Sequence, residues 1–138
     1  MLNHIIKPRY LFLICILFLA SFMVVSCEKE AGEGGNSSIH GYVHVTDYNA
    51  SFIFIQGEYD GADQYVYIIY GDDISYGDRI KTGPDGKFEF KYLRQGKYKV
   101  YVYSKDSTLA GVSAVSKDIE ITAKKQKVDA GTFEIKEN

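Results

Sequence analysis

Apolar and polar residues alternate one by one along most of the chain from residue 39 onward. In residues 41–46 (GYVHVT), Val43 and Val45 share one side of the segment and the residues between them share the other. A period of two is typical of a half-buried β-strand, because successive side chains of a strand point to opposite faces. A chain that repeats this pattern from element to element is expected to fold by pairing strands into sheets.

The alternation divides into eight segments separated by turn residues. They are residues 41–46, 51–56, 64–70, 78–82, 87–92, 97–104, 117–122 and 128–135. The sequence has no apolar run at helical spacing over three turns, and its 12 Tyr and 8 Phe favour strands. The pattern therefore predicts an all-β protein, an antiparallel β-sandwich of seven to eight strands.

The first 26 residues have the composition of a signal peptide. Lys7 and Arg9 precede residues 11–25, which are apolar except for Ser21. An apolar run of about 15 residues is too short to cross a hydrocarbon core of ~30 Å comfortably. A basic start followed by a short apolar run predicts a signal peptide over residues 1–26.

The end of this segment, residues 24–27 (VVSC), resembles the lipobox of bacterial lipoproteins. The resemblance implies that Cys27 is acylated, with palmitate among its lipids, and becomes the mature N-terminus, anchored in the outer membrane. Cys15 lies in the segment to be removed, so the mature chain would have no internal disulfide. A Cys without a role is the alternative, whereas the polar residues from Glu28 onward disfavour a plain transmembrane anchor.

Residues 28–38 (EKEAGEGGNSS) contain Gly, Ser, Asn and charged residues, with no apolar side chain larger than Ala. This composition predicts that residues 27–38 are a lipidated Cys followed by a flexible acidic tether. Glu28, Glu30 and Glu33 resemble the charged run that directs many Bacteroidota lipoproteins to the cell surface. The alternative is an acidic linker that is merely solvated.

The clearest turn signal is Gly83-Pro84-Asp85-Gly86, in which Pro presets φ and the last Gly accepts a positive φ. Residues 82–100 (TGPDGKFEFKYLRQGKYKV) around it resemble the carboxypeptidase regulatory-like domain, whose hallmark is T-x-x-D-G-x-F-x-F-x-x-L-x-x-G-x-Y-x-V. Gly41-Tyr42-Val43 is similar to the family's first strand, and residues 61–68 are similar to the strand that follows its Gly-Ala pair.

The resemblance implies an Ig-like, prealbumin-like (transthyretin-like) sandwich domain over residues 39–138. Family members are mostly non-catalytic modules, so the resemblance implies no catalytic residues. Residues 47–64 are longer than the family pattern and lack its usual Pro, and we expect an additional strand at 51–56 within them.

Catalytic and metal-binding motifs are missing from the sequence, which has no P-loop, H-E-x-x-H or G-x-S-x-G. His40 and His44 would stand ~13 Å apart on a strand, too far to share an ion. A formal net charge of −2 provides no basic surface for nucleic acid. We therefore expect no enzymatic activity, cofactor, metal site or nucleic-acid partner. Acids cluster in the loops and leave a calcium site or a glycosidase pair as alternatives: Asp60, Asp63, Asp72, Asp73 and Asp78.

Tyrosines provide the best functional indication. Those that the alternation places on outward faces are the candidate ligand-binding residues: Tyr42, Tyr65, Tyr67, Tyr101 and Tyr103. Exposed Tyr presents a flat ring with a polar tip, which suits sugar rings or protein interfaces, whereas cross-strand pairing on a solvated sheet is the alternative. We predict a surface-exposed, membrane-anchored binding module for a glycan or an envelope protein. The alternative is a structural, assembly or accessory subunit of an envelope complex that uses strand addition.

Overall fold

The computed structural model describes residues 30–106 and 111–138, which form strands joined by turns and loops. The eight strands are β1 (Glu33–Tyr48), β2 (Ile55–Asp60), β3 (Tyr65–Tyr70), β4 (Asp78–Lys81), β5 (Lys87–Leu93), β6 (Gly96–Asp106), β7 (Gly111–Ile121) and β8 (Lys127–Glu137). Within these two ranges, no helix is long and apolar enough to cross a membrane.

The strands form two four-stranded sheets. In the first sheet, the long strand β1 pairs with β2 and β5 along one side and with β8 along the other. The second sheet has the order β4-β3-β6-β7. Every pair among the described strands is antiparallel except β1–β8, which is parallel. The prediction of an all-β sandwich of seven to eight strands is confirmed.

The core lies between the two sheets and is built from the inward side of each alternating strand. Val43 and Val45 of β1 are fully buried, as are Val66 and Ile68 of β3. Burial removes apolar surface from water and is the main favourable contribution to folding. The apolar residues of the 82–100 motif all point into this core: Phe88, Phe90, Leu93, Tyr98 and Val100.

The additional strand expected within residues 47–64 is present as β2, but it begins at Ile55 rather than at residue 51. The Asn49 side-chain oxygen accepts hydrogen bonds from the Ile53 N–H at 2.9 Å and the Phe54 N–H at 3.1 Å. These bonds close a local turn in which Phe52 has a φ of 53°. An Asn side chain that captures nearby backbone donors competes with strand pairing.

The predicted flexible tether is wrong for residues 31–38, which belong to the domain. The Gly32 N–H donates to the Tyr98 hydroxyl at 3.0 Å, and the Gly32 carbonyl accepts from the Arg94 N–H at 2.8 Å. A Cβ on Gly35 would lie 1.9 Å from the Leu93 carbonyl oxygen. The small residues therefore let β1 lie closely against the chain near Leu93, a role of glycine that composition does not separate from flexibility. The predicted signal peptide, Cys27 and residues 28–29 lie outside the described residues.

Strand β7 is longer than predicted and begins at residue 111 rather than 117. Its first half pairs with the end of β6, for example Ala114 with Tyr103 and Ser116 with Tyr101. Because the side chains of residues 111–116 are mostly exposed, their alternation of apolar and polar types is weak and gives little strand signal.

Candidate functional site

Four of the five candidate tyrosines come together on the outer face of the second sheet. Tyr65 and Tyr67 lie on β3, and Tyr101 and Tyr103 lie on the neighbouring strand β6, with Tyr67 directly opposite Tyr101. A fifth ring, Tyr76 from the loop between β3 and β4, packs against Tyr67. We call these five residues the tyrosine platform. Tyr76 was missed because its loop has no alternation that assigns it to a face.

Tyr67 is the centre of the platform. Its ring stacks on that of Tyr101, with centroids 5.0 Å apart and planes 9° from parallel. The rings of Tyr76 and Tyr103 meet Tyr67 edge to face at 5.2 and 5.4 Å. These separations are in the favourable range for aromatic pairs, so the rings hold one another in fixed orientations.

The outermost rings of the platform are open to solvent. Tyr65, Tyr76 and Tyr103 are 43%, 47% and 46% exposed, while the two central rings are half-buried. On the β7 side the residues opposite the platform are Ala114 and Ser116, whose side chains are too short to cover the rings. The platform is therefore a contiguous aromatic surface that long charged side chains do not cover from β7.

Two cations line the β4 side of the platform. Arg79 is opposite Tyr67 and Lys81 is opposite Tyr65. The Arg79 guanidinium carbon lies 4.7 Å from the centroid of the Tyr65 ring, and the Lys81 Nζ lies 5.2 Å from it. Cations over aromatic rings are attracted to the negative face of the ring. This border therefore adds fixed positive charge to an aromatic surface.

The titration behaviour of the platform follows from its packing. Burial, together with a hydrogen bond to Tyr103, raises the pKa of Tyr101 to about 12. The pKa of Arg79 is raised by its hydrogen bond to Tyr67 and, in addition, by the electrostatic effect of the neighbouring tyrosines. At neutral pH the Tyr101 hydroxyl is therefore a neutral donor and acceptor, and Arg79 is fully charged.

The outer face continues beside the platform as an open depression of about 650 Å³ that is lined by both polar and apolar residues. Ile69 and Lys99 lie opposite each other in its lining, and Lys99 forms a 3.4 Å ion pair with Asp118 of β7. One face of the second sheet thus presents aromatic rings and then hydrogen-bonding groups in adjacent rows.

Tyr42 lies on the first sheet, apart from the other candidate tyrosines. Its hydroxyl donates to the Asp60 carboxylate, a bond that joins β1 to the end of β2. This hydrogen bond is the main reason that the pKa of Tyr42 is raised to about 12. The structure therefore gives Tyr42 a cross-strand bonding partner and places it outside the platform.

Three of the five loop acids, Asp60, Asp63 and Asp78, have separate bonding partners, whereas Asp72 and Asp73 line the depression beside the platform. Asp63 forms a 3.5 Å ion pair with Lys81, and the Asp78 carboxylate accepts from the Arg79 backbone N–H at 2.7 Å. Across residues 30–106 and 111–138, no group of three or more His, Cys, Asp or Glu side chains could hold a metal ion. His40 and His44 lie on the outward side of β1. Among the acids considered for calcium or glycosidase chemistry, one thus pairs with a lysine, one with a tyrosine and one with the backbone.

The solved structures that are similar to the chain include the two given below. No protein-family profile matches the chain, and no curated protein matches it. One structure is a Pseudomonas aeruginosa protein whose description proposes carbohydrate binding, with 14% identity and a TM-score of 0.45 over 73% of this chain and 91% of that one. The other is (S)-allantoin synthase, with 6% identity and a TM-score of 0.35 over 75% of this chain and 42% of that one.

Proposed function

We propose that this protein is a non-enzymatic, lipid-anchored binding module that holds a glycan on the tyrosine platform. The observation that carries the proposal is the contiguous cluster of five mutually packed tyrosines on one outer face. Sugar rings have apolar C–H faces that pack on aromatic rings, and their hydroxyls bond to the polar tips of tyrosines and to nearby charged groups. Rings already fixed in orientation lose little entropy when a ligand binds.

Stabilisation of the sheet explains only part of the cluster. Cross-strand aromatic pairs stabilise a sheet by ~0.2–1 kcal/mol each, which accounts for Tyr67 opposite Tyr101. Tyr76, however, belongs to a loop and still packs on Tyr67 at 5.2 Å. Three rings of the platform remain between 43% and 47% exposed. An aromatic surface extended by a loop and left open to water supports binding more than sheet stability alone.

The direction of the platform fits display away from a membrane. The described chain begins at the base of the domain, where a Cβ on Gly96 would lie 2.7 Å from the Ala31 Cβ. Tyr101 and Tyr103 follow along β6, roughly 16–23 Å from Gly96 at ~3.3 Å per residue. If Cys27 carries the lipid, the platform begins near the middle of β6 and extends away from the end of the domain where the described residues start. The lipobox resemblance and the acidic residues after Cys27 support anchoring and surface display.

The test is a polysaccharide-binding screen with the full chain purified in detergent. We expect wild-type protein to bind at least one polysaccharide, and Tyr103→Ala and Tyr65→Ala each to weaken binding roughly tenfold, the value of one aromatic contact. Tyr92→Ala is the matched control, because Tyr92 is 71% exposed on β5 of the other sheet. The proposal fails if wild-type protein binds no polysaccharide, or if Tyr92→Ala weakens binding as much as the platform variants.

A second candidate function, assembly with another copy of the chain, is favoured by the free edge of β7. Residues 111–116 (GVSAVS) form the first half of this edge strand and carry no charge. The other sheet edges carry several charged residues each, for example Lys87, Glu89 and Lys91 on β5. Charged residues on edges prevent strand addition, and the first half of β7 lacks them. We propose antiparallel pairing of this half-strand with its copy, which meets no like charges.

Analytical ultracentrifugation tests assembly. Val112 is 61% exposed and lies opposite Lys105, so Val112→Glu adds an edge charge while gaining a favourable cross-strand partner. We expect wild-type protein to self-associate and Val112→Glu to remain monomeric. A monomeric wild-type protein at all concentrations, or a dimer unaffected by the substitution, excludes pairing through this edge.

A further inference from the structure

We infer that the ligand of the tyrosine platform is an acidic glycan, and that Arg79 binds its uronate carboxylate. This inference rests on the proposed function and specifies its ligand class. Three observations support the inference. One arginine lies at the border of the platform, tyrosines hold that arginine in place, and the neighbouring cations are paired with acids.

Aromatic rings hold the Arg79 guanidinium in place. It lies 4.7 Å from the centroid of the Tyr65 ring, and it is hydrogen-bonded to Tyr67. Arg79 is opposite Tyr67 across the β3–β4 pair, so its stem leaves the same face of the sheet as the rings. A guanidinium stacked in this way has already lost much of its rotational freedom, which reduces the entropy cost of binding a ligand.

The positive charge of Arg79 is not neutralised by an acid. Lys81 has Asp63 at 3.5 Å, and Lys99 has Asp118 at 3.4 Å. Among the residues that the structure describes, no carboxylate forms an ion pair with Arg79. The neighbouring Asp78 carboxylate instead accepts a hydrogen bond from the Arg79 backbone N–H at 2.7 Å. Arg79 is therefore the cation of this border that remains available for an anion from outside the protein.

Arginine chemistry points to a carboxylate. Its planar fork of N–H donors matches the two oxygens of a carboxylate and forms two parallel charge-assisted bonds. A hexuronic acid combines such a group with an apolar ring face. With the sugar ring on the exposed platform tyrosines, the carboxylate would meet the guanidinium at the β4 border. A neutral sugar would pack on the rings and offer Arg79 no carboxylate to bind.

The experiment compares uronate polymers with their carboxyl-reduced counterparts. Isothermal titration calorimetry uses the full chain in detergent with polygalacturonate, alginate and hyaluronan, each beside the reduced polymer. We expect at least one uronate polymer to bind and its reduced form to bind more weakly. Arg79→Gln should weaken binding of the uronate polymer roughly 10- to 100-fold, as for a lost charged hydrogen bond, and weaken binding of the reduced polymer much less. Arg79→Lys keeps the charge without the planar fork of donors. Its affinity for the uronate polymer should lie between those of wild-type protein and Arg79→Gln.

Lys91→Gln is the matched control, because Lys91 is an exposed cation on β5 of the opposite sheet. Equal losses in Arg79→Gln and Lys91→Gln would reveal general charge attraction and overturn the inference. The inference would also be overturned if the reduced and acidic polymers bound equally, or if sulfated dextran bound and no uronate polymer did. Either result would leave a glycan-binding platform in place. Absence of binding to every polymer of this panel would overturn the inference, whereas failure of the wider polysaccharide screen would remove the proposed function itself.

Discussion

Replacing Tyr98 with Phe tests whether residues 31–38 belong to the folded domain. Tyr98 is 2% exposed, and its hydroxyl accepts from the Gly32 N–H at 3.0 Å and donates to the Arg94 carbonyl at 2.7 Å. Phe keeps the ring and its edge-to-face contact with Tyr70 at 6.0 Å. The substitution therefore removes two hydrogen bonds and leaves a buried donor and a carbonyl without this partner.

The expected cost follows from those two groups. A buried polar group left unsatisfied costs about 1–3 kcal/mol, so we expect Tyr98→Phe to lower the free energy of unfolding by about 2 kcal/mol or somewhat more. For a domain near 100 residues, 2 kcal/mol corresponds to a fall of about 8–16 °C in the melting temperature. Because the lost bond holds Gly32, hydrogen exchange of the first residues of β1 should also become faster.

Urea unfolding and hydrogen-exchange mass spectrometry measure the two effects. Tyr92→Phe is the control, since Tyr92 is 71% exposed and the same oxygen is removed there without burial; its unfolding free energy should change by less than about 0.5 kcal/mol. A loss for Tyr98→Phe no larger than this control, or unchanged exchange over residues 31–38, would refute the account in which Tyr98 docks the start of β1.

Two further predictions concern polar contacts outside the platform. Thr82→Val should lower the free energy of unfolding by about 1–3 kcal/mol, because the buried hydroxyl accepts from the Gln64 N–H at 2.9 Å and donates to the Gly61 carbonyl; urea unfolding should show Thr82→Ser losing much less. Asp60→Asn should return the pKa of Tyr42 from about 12 toward 10.0, as followed by NMR of ¹³C-labelled tyrosine. Because the pKa of Tyr42 is higher in the folded protein, the stabilisation from this bond is complete below pH 10 and is lost between pH 10 and about 12. Asp60→Asn should lack this pH-dependent stabilisation. An unchanged pKa of Tyr42 in Asp60→Asn would contradict the assignment.

The strand pattern was readable from the sequence because it is local. Val43, Val45 and Phe88 were assigned to the inner face by alternation alone, and all three are buried. The turn ending at Gly86 was equally local, since that residue has a φ of +71° and a Cβ there would lie 2.5 Å from the Val43 carbonyl oxygen. Side-chain period and turn chemistry depend on neighbours in the chain and need no knowledge of the fold.

The errors arose where a distant contact or a side-chain bond decided the backbone. The composition around Gly32 and Gly35 predicted a flexible linker. Contacts with Tyr98 and Leu93, some sixty residues later in the chain, instead hold these two glycines in closely packed backbone. At residues 51–54 the apolar types favoured a strand, but the Asn49 side chain accepts backbone hydrogen bonds there and forms a turn instead. Composition indicates which conformations a residue can adopt, and only contacts across the fold select one of them.

The tyrosine platform shows the same division most clearly. Alternation placed both Tyr42 and Tyr67 on outward faces, and it had no means to separate them. The order of strands in space put Tyr67 opposite Tyr101 and left Tyr42 on the other sheet with Asp60. The sequence by itself determined which side of each strand a tyrosine occupies, because that depends on a two-residue period. Only the tertiary structure decided which tyrosines meet, because neighbours across a sheet come from strand pairing between distant parts of the chain.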